Sequence, residues 1–154
     1  MTRYAAKTEV SVAKSRAEIE ATLERYGADA FAYFTEAERA MVAFRISDRQ
    51  VRFVLTLPRK DRREFTHHSR GERTAEAALA AWEQACRQRW RALALVIKAK
   101  LEAVAAGITT IEDEFLAHTL LPDGATVGAW VKPQLAVAYR DGAMPTGLLL
   151  KGPE

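Results

Sequence analysis

Apolar side chains recur at Leu79, Trp82, Cys86, Trp90, Leu93, Ile97, Leu101 and Val104, in steps of three and four. That spacing keeps them on one face of a helix for about seven turns at 3.6 residues per turn. It predicts a single long helix, capped by Thr74, with Glu76 in its first turn and a stop at Gly107. An apolar face of that length needs cover along all of it, so the helix is expected to be the rod on which the domain is built.

Upstream the patterns are shorter. Residues 8–12 alternate weakly and predict a first strand. Ser15 and Glu18 have the S-x-x-E spacing of a capping box and predict a short helix that buries Ile19, Leu23 and Tyr26 and stops at Gly27. Three runs of period two follow: Phe31, Tyr33 and Thr35; Val42, Phe44 and Ile46; Val51, Phe53, Leu55 and Leu57. Each predicts a strand with these side chains on one sheet face, and Arg45, Arg52, Ala43, Val54 and Thr56 on the other. A turn at Ser47-Asp48 pairs Phe44 with Val51, and one at Asp48-Arg49 pairs it with Phe53. Both keep the apolar face intact, so the pattern leaves the register open.

Residues 58–73 form a polar, charge-dense connection with one large apolar residue, Phe65. Structureless loops of this length are uncommon, and are often functional or mobile. After Gly107, Thr109 or Thr110 is expected to cap a short helix with Glu112, Asp113 and Glu114 in its first turn and Ile111 and Phe115 inward. Leu121-Pro122-Asp123-Gly124 reads as a turn. Thr126 is expected to start a last helix carrying Trp130, Leu135 and Tyr139, with Pro133 as a kink or as its true first turn. The fold class is α+β: an antiparallel meander of three to four strands packed on one long central α-helix, with short N-terminal and C-terminal helices. Residues 1–141 are expected to form this single domain, and residues 142–154 a tail rich in Gly and Pro.

Composition narrows the class without deciding it. A chain of 154 residues suits one domain with a core of its own. Its one cysteine, Cys86, lies on the apolar stripe, so no intramolecular disulfide forms, and an inert buried thiol is expected. The first ten residues lack the apolar run of a signal peptide, and no window reaches the length of a membrane span. A soluble cytoplasmic protein is the expectation.

The net charge of +3 is mild, but its distribution is uneven. Arg59, Lys60, Arg62, Arg63, Arg70 and Arg73 crowd residues 58–73, and Arg87, Arg91 and Lys98 share one face of the long helix, with Arg89 and Lys100 on a flank. If the loop folds over the helix start, the two sets make one positive surface able to track phosphates of DNA or RNA, with Phe65, His67 and His68 to stack on unpaired bases. Against this stands the plain reading of a solvated helix face and a charged loop. Glu114 and His118, four apart, with Glu112, Asp113 and Asp123 nearby, could hold a divalent ion, although acids in a first turn are explained as well by the helix dipole. No cofactor motif, phosphate-binding loop, metal box or catalytic signature stands out.

The segments SRAEIEATLERYGADAF, RQVRFVLTLP, WEQACRQRWRALALVIKAKLEAV and FLAHTLLPDGATV together resemble a family of uncharacterised proteins common in bacteriophages and prophages. The likeness runs over residues 11–139 and is most specific over 82–104. It implies a phage or prophage origin and a bacterial cytoplasm, and it implies no mechanism. The leading expectation is a non-catalytic accessory protein that binds nucleic acid through the basic loop and helix face. One alternative is a protein-binding inhibitor of a host defence or nucleic-acid-processing complex. Another is a small metal-dependent hydrolase or nuclease built on Glu112, Asp113, Glu114 and His118. The rod is longer than a three-stranded sheet needs, so a homodimer is a further possible partner arrangement.

Overall fold

A computed structural model of the chain describes residues 4–145. The order is α1 (Val12–Arg25), β1 (Ala30–Thr35), β2 (Arg39–Ile46), β3 (Arg49–Thr56), α2 (Arg63–Thr66), β4 (His67–His68), β5 (Gly71–Glu72), α3 (Ala75–Ala105), α4 (Ile111–Phe115), a 3₁₀ turn (Leu116–His118) and α5 (Val127–Asp141). Strands β1, β2 and β3 make an antiparallel meander, and β4 and β5 a separate two-stranded ribbon. The architecture is α+β, with the long helix packed on the meander.

α3 has the expected limits. The Thr74 hydroxyl accepts from the Ala77 N–H, and Gly107, at φ 73°, follows the last turn. Its stripe is buried at Cys86, Trp90, Leu93, Ala94, Ile97 and Leu101. Leu79, at the start of the pattern, is exposed, because the first turns of the rod extend beyond the elements that cover the rest. α1 lies alongside and adds Ile19 and Leu23 to the same core. From the sheet come Ala40, Val42, Phe44 and Ile46 of β2, Val51 and Phe53 of β3, and Leu57 just after it. Phe115 of α4 closes one end, edge-on to Phe44 and Phe53 with ring centroids 5.6 and 6.2 Å apart. Such edge-to-face contacts add to the area that the rings bury.

Two expectations at the N-terminus fail. Residues 8–12 form no strand: Ser11 is the cap of α1, its hydroxyl accepting from the Lys14 N–H. Ser15 is therefore not a cap but a fully buried position inside the helix, and Glu18 pairs with Arg91 instead of closing a capping box. Tyr33, expected inward, is 52% exposed. β1 is an edge strand, and there the Arg16 guanidinium, 4.6 Å from the ring centroid, takes the place of an apolar neighbour.

The hairpin register is resolved in favour of Phe44 opposite Val51, with Ile46 opposite Arg49. Ser47 and Asp48 form the two-residue turn at φ 50° and 59°. Both central residues at positive φ define the I′ geometry, whose twist matches the strands and which favours Asn-Gly. Neither native residue is Gly, so the turn carries backbone strain.

His118 stacks on Phe53 at 4.0 Å. Burial first, then the positive charges of Lys100 and Lys132, hold its pKa below the ordinary value. The unfolded chain thus takes up this proton near pH ~6.5, before the folded chain does. The histidine's contribution to stability is complete above that pH and is lost as pH falls through the folded-state value. The urea midpoint is expected to drop between pH 7 and 5.5, and to drop less in His118→Gln. At the hairpin, Ser47→Asn with Asp48→Gly is expected to stabilise the fold by about 0.5–1 kcal/mol in urea unfolding, with an unchanged m-value.

Candidate functional site

Residues 58–73 are folded rather than loose. Phe65 is 5% exposed, anchored by α2 against α3, so it is not available to stack on bases. A single large apolar side chain among charges is what pins such a segment to a core. Arg73 closes the segment by donating from Nη1 to the carbonyls of Glu64 and Phe65. His67 Nδ1 meets the Thr66 hydroxyl at 2.8 Å, and His68 Nδ1 accepts from the Arg70 N–H.

The basic side chains of this segment are mostly engaged. Arg59 pairs with Asp61 at 2.8 Å and with Glu38 at 3.4 Å, which draws the Asp61 carboxyl below its usual range. Arg62 pairs with Glu64 at 3.3 Å. The Lys60 ammonium lies 4.5 Å from the centroid of the Trp82 ring. On α3, Arg91 pairs with Glu18, Arg87 donates to the Gln84 side-chain oxygen, and Arg89 donates to the Thr56 carbonyl at 2.8 Å. The side chains of Arg63, Arg70 and Lys98 have no hydrogen bond or ion pair among the described residues.

Basic residues line two grooves. Arg62 shares a groove with Glu64, Gln88 and Arg89, where the loop packs on the helix. Arg91 and Lys98 share another, on the α1 side, with Glu18 and Arg25.

The acidic group disperses. Glu112 pairs with Arg49 at 3.3 Å, Glu114 pairs with Lys100 at 3.0 Å, and His118 is stacked on Phe53. Among the described residues, no three His, Cys, Asp or Glu side chains are grouped to hold a metal ion.

The feature that charge counting missed is α5. It is capped by Thr126, whose hydroxyl accepts from the Ala129 N–H, and it ends at Gly142 in the left-handed region. Its first turn seats closely on the 3₁₀ turn: a Cβ at Gly128 would lie 2.8 Å from the Ala117 carbonyl oxygen. Yet none of its residues is buried. Trp130 is 47% exposed and Tyr139 87%, with Leu135, Val137 and Leu116 also exposed. Its sequence carries Lys132, Gln134, Arg140 and Asp141 among the apolar residues. The outer sheet face adds a second apolar strip, with Phe34 and Val54 flanking Met41 in register.

No protein family, curated protein or solved structure matches this chain.

Cys86 is buried, and desolvation pushes its thiol above the ordinary value despite nearby Lys60. The thiolate is the reactive form, so folding suppresses it. Alkylation of the folded protein by iodoacetamide at pH 8 is expected to run about tenfold or more slower than in urea. Equal rates would mean that the thiol is open to solvent.

Proposed function

We propose that this chain is a non-catalytic binding protein of phage or prophage origin, and that it acts in the bacterial cytoplasm by seating a protein partner on α5. The observation that carries this reading is that a fifteen-residue apolar helix buries none of its own residues. Contiguous apolar surface of this kind marks interaction sites. A phage or prophage origin, which the sequence resemblance implies, favours a host protein as that partner.

A second reading keeps nucleic acid as the partner, on the observation that Arg63, Arg70 and Lys98 reach solvent without an ion pair among the described residues. The two readings separate cleanly. Trp130→Glu and Leu135→Glu are expected to cost some stability, because at 47% and 45% exposure each side chain still covers part of its apolar surface, so the double variant is first confirmed as folded by circular dichroism. A host protein that co-purifies stoichiometrically with the unmodified chain is expected to be lost with this double variant. Retention of the partner by the variant overturns the α5 assignment. Salt-sensitive DNA or RNA binding that survives the α5 changes and is lost on charge reversal of Arg63, Arg70 and Lys98 would establish the second reading.

A further inference from the structure

Between the first half of α3 and the β1–β2 turn lies a groove of about 550 Å³. This falls within the ~300–1,000 Å³ of small-molecule sites, which are mostly apolar with a few placed polar groups. The floor has that character: Leu57, Cys86 and Trp90 are buried there, and Trp82 and Val12 stand half-buried beside them. Trp82 is fixed as a wall by its indole N–H, which donates to the Pro58 carbonyl at 2.7 Å.

The rim carries charge of both signs, and nearly all of it is spent on internal pairs. Glu38 and Asp61 are held by Arg59, and Glu36 by Arg39 at 3.0 Å. Lys60 is the exception. Among the described residues it has no carboxylate or carbonyl partner, and its ammonium rests on the face of Trp82. Lys60 lines the same groove as Cys86, Leu57 and Trp90. An apolar trough with one unpaired cation at its lip is complementary to a molecule with a hydrocarbon body and a single negative head.

We infer that this groove binds a small amphiphilic carboxylate of the medium-chain fatty-acid class, with its hydrocarbon along Leu57, Cys86 and Trp90 and its carboxylate on the Lys60 ammonium. The inference is independent of α5, whose residues do not line the groove. A neutral chain would leave the cation unanswered, and an amine would meet like charge.

The chain has three tryptophans, two of them in this groove. In a Trp130→Phe protein, titration with decanoate, decanol and decylamine below their micelle concentrations is therefore read directly by Trp82 and Trp90. Decanoate is expected to give a saturable change, with decanol and decylamine weaker by about tenfold or more, the measure of one charge-assisted contact. Lys60→Glu is expected to abolish that preference, and Cys86→Phe to fill the floor and prevent binding. Should the latter not fold, the single thiol of the unmodified chain gives a second readout, since bound decanoate must slow its alkylation further. Equal binding of decanoate and decanol, an unchanged affinity in Lys60→Glu, no saturable signal, or no protection of Cys86 would each overturn the assignment.

Discussion

Everything else in this protein depends on the apolar stripe of α3 being covered from two sides at once. A three-stranded sheet needs its apolar face covered, and most of a helix's stability in a protein comes from packing its apolar face. Trp90, Ile97 and Leu101 join the two problems into one solution, with β2 and β3 beneath and α1 alongside. The meander then needs only one good face, and its other face is left to water. At the far end, Tyr26 donates to Glu102 at 2.6 Å and ties the last turn of α1 to the last turns of the rod.

The parts of the fold legible in the sequence are those in which side-chain period and core burial coincide. Val42, Phe44, Val51 and Phe53 alternate because one face is buried, and the caps at Thr74, Thr110 and Thr126 lie where hydroxyls precede apolar periods. The misreadings came where two local signals competed. The S-x-x-E spacing at Ser15 and Glu18 looks like a cap, but the true cap is Ser11, four residues earlier. The hairpin register turned on backbone conformations at Ser47 and Asp48 that neither residue type announces. Phe65, read as a side chain able to stack on bases, is instead the anchor of its segment, 5% exposed against α3.

Candidate sites were harder to read for a physical reason. Charges are counted one at a time in a sequence, but a fold presents them in pairs. Arg59, Arg62 and Arg91 all meet carboxylates, two of them near in sequence and one far away on α1. Local excess of Lys and Arg is thus a poor guide to surface potential wherever acids can reach across from another element. An unpaired charge such as Lys60 is visible only when its neighbours are placed.

α5 has one more property. It is capped at both ends and held at its first turn by the close approach of Gly128 to the 3₁₀ turn, although no core has formed around it. Helix nucleation, the expensive step for an isolated segment, is therefore complete before any partner arrives. A molecule that packs on this capped helix meets backbone already in its helical conformation and gives up little conformational entropy on the protein's side. That lets a modest contact area yield useful affinity.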